Sequence, residues 1–553
     1  MSPTKDAASC EDDNGSAGAS PSRSSFRWSI YWVLIVISAS LVTARIMRVR
    51  SPDAFSPTPF QSANDKSRWA TIRALGDHGV YSIEHIIFYS DGSRVRGWHT
   101  IDLVRHRGPD GEEHYYSSKP TLLTTLLAGE YWLIKQATGL SLSQPDQVWV
   151  VARLMLVLTN VVPLVIALYL LARLIDELGQ SDWGRLFTFA AAAFSTFVTT
   201  YSVTLNNHSL AACTLVFAVA AAIPVWQGRG QWWHFALAGL FFAFTAAIEL
   251  PALAIVALAA LALAWKCPLK TAFAFAPPAL LVAAAALGTN YHAHGDWRPP
   301  YAHRQDGPVM GMLPDSLAVP LNENRVTEKL RTALTASQIS LSASATVETK
   351  SRGDRWELFD SETHRRYSLQ RTPEGATSLG IEVRLWDNWY DYPGTHWDRH
   401  TVTGLDRGEP SPLVYAFHCL VGHHGLFSLT PIWLLSIAGC WIWWRSPDAS
   451  SRALAITTTL ITLVVVAFYL SRPIGDRNYG GGTCCLRWLI WLTPLWLLTL
   501  LPTADWLGKS RWGQVAALLL LAVSAFSAHY AADNPWAHPW LFTLGEWLGW
   551  FHY

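Results

Sequence analysis

Charge is what this sequence has little of. Only 15% of its 553 residues are Asp, Glu, Lys or Arg, against about 25% in an ordinary soluble domain. Hydrophobic residues make up 50%, so the surface cannot all face water, and a soluble globular enzyme is excluded. Neither sign of charge prevails: 42 Lys and Arg oppose 41 Asp and Glu, for a net charge of +1. That balance leaves no electrostatic footprint for nucleic acid. Cysteine is also scarce, and seven residues form no disulfide framework. Cys213, Cys267 and Cys440 lie in or beside apolar runs and read as small buried thiols. Cys484 and Cys485 sit together in a polar loop. Tryptophan, by contrast, is abundant at 29 residues, and its amphipathic ring favours membrane interfaces and sugar-stacking surfaces.

A bilayer core about 30 Å thick takes about 20 mostly apolar residues in a helix. Such runs occur at 28–47, 149–173, 184–203, 208–226, 232–249, 251–266, 271–290, 413–444, 453–471, 487–502 and 512–530. This predicts an all-α integral membrane protein of about eleven transmembrane helices. The run 413–444 exceeds one span, and its first part, Pro412 to His424, also fits the interface. At Glu249–Leu250–Pro251 proline ends a helix and lets the chain reverse at one membrane face.

With residues 1–27 in the cytoplasm, the alternating inner loops are 174–183, 227–231, 267–270, 445–452 and 503–511. Arg173, Arg185, Arg229, Lys266, Lys270, Arg445, Arg452, Lys509 and Arg511 recur at their ends, as the positive-inside rule requires. Residues 1–27 are polar and read as a disordered cytoplasmic N-terminus, and 28–47 as an uncleaved signal anchor. The outer face then receives the first outer loop, 48–148, and an insertion, 291–412. Membrane bundles at 149–290 and 413–530 and an aromatic tail at 531–553 complete the expected organisation.

Within the first outer loop, Trp69, Ile72 and Leu75 recur at helical spacing and Gly79 follows as a stop. Ser62, Asn64 and Asp65 are the cap candidates of this short amphipathic helix. A Gly-, Asp- and His-rich loop leads to Lys119–Pro120, which open a second apolar helix of about 18 residues. That length is marginal for a crossing, and Tyr131, Trp132 and Lys135 suit an in-plane helix. In the insertion, "NENRVTEKLRTALTASQ" has helical charge spacing. "DRWELFDSETHRRYSLQR" and "SLGIEVRLWDNWYDYPG" carry the alternation of strands. A small α/β or β-rich outer insertion follows.

The stretch Asp65-Lys66-Ser67-Arg68-Trp69-Ala70-Thr71-Ile72 resembles the Asp-Glu-x-Arg-Tyr-Ala-x-Ile pattern of GT-C glycosyltransferases. The branch it is most similar to contains bacterial relatives of protein O-mannosyltransferases and the aminoarabinose transferase of lipid A. Tyr116-Ser117-Ser118-Lys119-Pro120-Thr121 resembles their Lys-Pro-Pro motif. "NYHAHGDWRPPY", "HHGLFSLTPIWLL" and "NYGGGTCCLRWLIWLTPL" are similar to segments of uncharacterised bacterial members. Most of the membrane portion is covered, but not residues 315–395. Lys66 replaces the acidic second residue and Thr121 the second proline. The resemblance implies transfer of one sugar, with inversion, from a polyprenyl-phosphate donor to an acceptor (protein, lipid or glycan). It places the active site at the outer face of a bacterial inner (cytoplasmic) membrane. The absence of a nucleotide-type Gly loop weighs against a cytoplasmic nucleotide-sugar donor.

Inverting transfer needs a base near the acceptor hydroxyl and a cradle for the departing phosphate. Asp65 is the candidate base; spacing alone reads it as a helix N-cap, and the family pattern reverses that preference. Arg68, one turn on, shares its face and either restrains the carboxylate, contacts phosphate or forms a plain ion pair. Lys119 is a candidate phosphate contact or a snorkelling anchor. Arg472, Arg477 and Arg487 flank a loop whose Gly480–Gly482 admit close backbone approach. Arg477 and Arg487 are taken as donor-phosphate candidates, with lipid headgroups the alternative. Glu249, beside the helix break, serves the acceptor or a structural hydrogen bond. His423 and His424 are candidate donors or satisfied interfacial histidines, and Asn206, Asn207 and His208 are polar ligands or helix caps. "RLWDNWYDYPGTHWDRH", with Asp387, Asp391 and Asp398, suits a glycan or the packing of the insertion. Neither zinc nor EF-hand spacing is present, so no metal or cofactor is assigned, and no divalent metal is indicated. Two rivals remain: a lipid or lipid-linked glycan transporter, which favours midplane sites and internal repeats, and a non-catalytic GT-C-like membrane protein.

Overall fold

A computed structural model describes residues 21–351, 354–372, 380–397 and 404–553. The N-terminal segment 1–20 and Asp398 lie outside the described residues. Helix α1 (Pro21–Arg48) begins earlier than the expected 28, because Arg27 is buried and paired with Asp176 and Asp182. Residues 21–27 therefore belong to the helix, a correction to the polar leader read from composition.

Among the described residues, six helices are long and apolar enough to cross a membrane: Ser24–Arg48, Val148–Leu178, His208–Trp226, Pro268–His294, Ala449–Leu470 and Arg511–Tyr530. Trp232–Ile248, Leu250–Lys266 and Trp433–Trp444 are shorter apolar helices. Three expected spans are broken. The run 184–203 splits into Asp182–Phe194 and Phe197–Tyr201, and 487–502 opens with a 3-10 turn, Arg487–Leu492, before Thr493–Leu507. The run 413–444 divides into Pro412–Leu420, Leu426–Leu429 and Trp433–Trp444. Proline also marks two wide turns. Val157–Val161 precedes Pro163, and Thr271–Phe275 precedes Pro277 and Pro278. Residues without an N–H cannot close the regular ladder, so the preceding turn opens to a π turn.

The connections segregate to two ends. At one, Arg229 pairs with Glu177, Trp226 donates to the Ala449 carbonyl and Asp505 accepts from the Gln180 and Ser181 amides. At the other lie both long segments. There the Arg105 amide donates to the Trp389 carbonyl at 2.9 Å, and Arg304 pairs with Asp476 at 2.6 Å.

In the first long segment, α2 (Ala63–His78) has Ser62 as N-cap, donated to by the Asp65 amide, and Gly79 as a left-handed C-cap. It does not lie on a surface. Nine of its residues are buried, Trp69 stacks on Phe60 at 5.1 Å, and Gly76 admits the ring of Tyr131 where a Cβ would collide. The following loop, expected to be irregular, contains a hairpin, β1 (Leu103–Arg107) with β2 (Glu113–Ser117). Next comes α3 (Thr121–Thr138), introduced by Pro120. Leu123, Leu127 and Tyr131 face inward, while Leu126, Trp132 and Leu133 remain exposed as an interfacial helix would leave them.

The insertion holds a five-stranded antiparallel sheet in the order β3-β7-β6-β5-β4, from β3 (Val309–Leu313), β4 (Thr346–Ser351), β5 (Arg355–Asp360), β6 (Arg365–Arg371) and β7 (Ile381–Leu385). Trp356, Leu358, Leu369 and Val383 pack beneath α4 (Glu328–Ala336) through Leu330 and Leu334. The strand expected through 393 stops at Leu385. Trp389 then inserts between His106 of the hairpin and His303, with ring centres 3.7 and 3.5 Å away. This stack ties the insertion to the first long segment.

Candidate functional site

Ser62 takes the N-cap, so Asp65 stands at the third helical position. Its Oδ2 reaches back to the Gln61 amide at 2.9 Å, and its Oδ1 is buried with no hydrogen-bond partner. Burial pushes the carboxyl up to about 6, tempered by the Gln61 amide, Thr204, Trp69 and Arg68. One oxygen thus serves the helix end, while Thr204 and Trp69 lie close enough to the carboxylate to favour its charged form.

Arg68 does not pair with Asp65. It donates to Asn64 on its own helix and to the Oδ1 of Asn207. The Asn207 amide donates in turn to Glu249 Oε1 at 2.7 Å and to the Ile248 carbonyl at 2.9 Å. His208 Nδ1 meets the same Oε1. Burial lowers the Arg68 guanidinium to about 10, opposed by Asp102 and reinforced by Arg487. Asn206 is no part of this relay; it caps the next helix by accepting from the Ser209 amide at 2.9 Å.

Lys119 Nζ pairs with Asp102 Oδ2 at 3.0 Å, and both side chains are largely buried. Burial lowers Lys119 to about 8, with Asp102 resisting and Arg68 and Arg487 assisting. Burial opposes the Asp102 charge, yet Lys119 and the nearby Arg487 and Arg304 hold its carboxyl below the usual range. Asp102 was missed in the sequence because 17 positions separate it from Lys119. The hairpin that closes the gap is signalled by Gly108-Pro109-Asp110-Gly111 between two alternating stretches.

Arg487 opens its 3-10 turn with its guanidinium 4.9 Å from the centre of the Trp536 ring. Its Nε and Nη1 are buried and meet no acceptor among the described residues. Gly480, at φ 103°, makes room: a Cβ there would stand 3.0 Å from Nε. A narrow crevice of about 20 Å³ adjoins this turn, lined by Phe197, His424, Trp433, Cys485, Leu486 and Leu489 among others. Asp65 and Lys119 do not line it.

Four segments therefore bring Asp65, Lys119, Glu249 and Arg487 within electrostatic reach of Arg68. The other candidates lie elsewhere. Arg477 spends its guanidinium on the Arg472 and Pro410 carbonyls at 2.8 and 3.1 Å, and Arg472 pairs with Asp476. His423 and His424 join an aromatic cluster in which Tyr553 meets His423 Nε2 at 3.0 Å and Tyr479 stacks on His424. Asp387 holds His303 and Arg298, and Asp391 holds Arg355. Among the described residues no group of three or more His, Cys, Asp or Glu side chains has the geometry to hold a metal ion.

No family model matches this sequence, and no curated protein matches it. Solved structures do align. The Archaeoglobus fulgidus oligosaccharyltransferase in its apo form matches at 10% identity and a TM-score of 0.43, covering 92% of this chain and 56% of that one. Its complex with Zn and sulfate matches at 11% and 0.42, over 92% and 53%. The archaeal oligosaccharyltransferase AglB from the same organism, in complex with an inhibitory peptide and a dolichol-phosphate, matches at 12% and 0.40, over 94% and 57%. The chain spans a little over half the length of these proteins.

Proposed function

We propose that this protein is an integral membrane glycosyltransferase of the GT-C type, moving a sugar from a polyprenyl-phosphate donor to an acceptor at the non-cytoplasmic face. One observation carries the reading: Arg487, within electrostatic reach of Arg68 and Lys119, has buried donors with no acceptor among the described residues. A buried cation without an acceptor is costly, and an anion supplies what it lacks.

In this mechanism the acceptor hydroxyl attacks the anomeric carbon from the face opposite the phosphate. Its proton passes to Asp65 Oδ1, the new glycosidic bond forms, and the bond to the phosphate oxygen breaks with its electron pair. Arg487, Lys119 and Arg68 receive the negative charge that leaves on the lipid phosphate. A base that titrates near 6 is ionised at neutral pH yet basic enough to take a proton. The specific branch, the bacterial inner membrane and the outward orientation belong to the same proposal, supported by basic residues at the end away from the site. The test is release of free lipid phosphate from a short-chain polyprenyl-phosphate hexose by the protein in nanodiscs, with membrane extract as acceptor source. Release supports transfer; translocation of the intact glycolipid in vesicles, with no release, would identify a transporter instead.

A further inference from the structure

Glu249 uses only half of its carboxylate. Oε1 accepts from both Asn207 and His208, while Oε2 makes no hydrogen bond among the described residues. The side chain is only 5% exposed, so this oxygen is buried without a protein donor among the described residues. The relay fixes its direction. Asn207 must turn its amide nitrogen to Glu249 and the Ile248 carbonyl, because both are acceptors, and its oxygen to the Arg68 donor. Glu249 is thereby held rigidly beside the anion cradle without belonging to it. Two tyrosines lie within electrostatic reach of its charge. Tyr301, brought in by the insertion, has Glu249 and Arg68 as electrostatic neighbours. Tyr469, also within reach of the Glu249 charge, stacks on Trp488 with ring centres 4.7 Å apart and planes 4° from parallel.

A lone carboxylate oxygen and flat aromatic faces suit a polyhydroxylated ring, whose hydroxyls donate and whose C–H faces stack. We infer that Glu249 Oε2 is a hydrogen-bond acceptor for a hydroxyl of the bound sugar, forming a subsite separate from the phosphate cradle at Arg487. This rests on the proposed function and assigns the sugar end of the donor a place within it.

The test compares two probes, a short-chain polyprenyl phosphate and the same lipid phosphate carrying a hexose, titrated against the protein in nanodiscs. Glu249→Gln keeps the oxygen facing Asn207 and His208 and replaces the free acceptor by an amide. It is expected to weaken the hexose-bearing probe at least tenfold and the bare lipid phosphate less than twofold. Arg487→Ala is expected to weaken both. A matched melting temperature for Glu249→Gln establishes that the variant is folded. Equal losses for both probes with Glu249→Gln, or no loss for either, would overturn the subsite while leaving the phosphate cradle intact. Failure of the wild-type protein to bind either probe would overturn the proposed function and the subsite with it.

Discussion

The guanidinium of Arg487 sits 4.9 Å from the centre of the Trp536 ring, and its Nε and Nη1 are buried with nothing to donate to. Hydrogen bonds to charged groups contribute about 1.5–3 kcal/mol each. Arg487→Ala is therefore expected to weaken farnesyl phosphate binding by about two orders of magnitude by calorimetry. Unchanged affinity would remove Arg487 from the site.

Activity should trace a bell with pH. Asp65, raised to about 6, is an effective base only above that value; Lys119, lowered to about 8, loses its charge above it. The rate at limiting donor is expected to rise through pH about 6 and fall through pH about 8. A profile flat across both values would contradict these roles.

Asp102 is the carboxylate that sustains the charge on Lys119. Asp102→Asn removes a raising influence, so Lys119 should deprotonate at lower pH. The alkaline limb is expected to move below 8 while the acid limb stays near 6, as measured by pH–rate profiles of both proteins.

Asp65 also exacts a stability cost. Its carboxyl is raised from 3.8 to about 6 in the fold, so the fold favours the protonated acid. Stability declines as pH rises between those values, by about 3 kcal/mol at neutral pH. Asp65→Asn is expected to melt no lower than wild type at pH 7.5 and to gain nothing at pH 4. A lower melting temperature at pH 7.5 would mean that the ionised carboxylate stabilises the fold.

Gly480 occupies a left-handed conformation beside Arg487. Gly480→Ala combines backbone strain with a crowded Nε, and strain of this kind costs about 1–3 kcal/mol. Reduced thermal stability together with weaker lipid phosphate binding is the expected result.

Local signals carried much of this into the sequence. The Ser62 and Gly79 caps, the start of α3 at Lys119–Pro120 and the reversal at Glu249–Pro251 all follow from backbone chemistry at single positions. What remained hidden depends on contacts between distant segments. The amphipathic spacing of α2 suggested a surface helix, because burial of its polar residues needs Asp102 and Asn207 as partners from the fold. Trp389 reads as strand by composition, yet it serves as a wedge between two histidines far apart in sequence. Arg477 and Arg487 look alike along the chain; one is consumed by loop carbonyls, and the other is left with open donors.

The account turns on Asp65 taking the acceptor's proton as the sugar–phosphate bond breaks, and single-turnover cleavage of a labelled polyprenyl-phosphate hexose in the presence of acceptor measures that step. Wild-type protein should release lipid phosphate, and Asp65→Asn should bind the donor normally yet release it about 10²–10⁴-fold more slowly. Equal rates from the two proteins would contradict the assignment of Asp65 as the base.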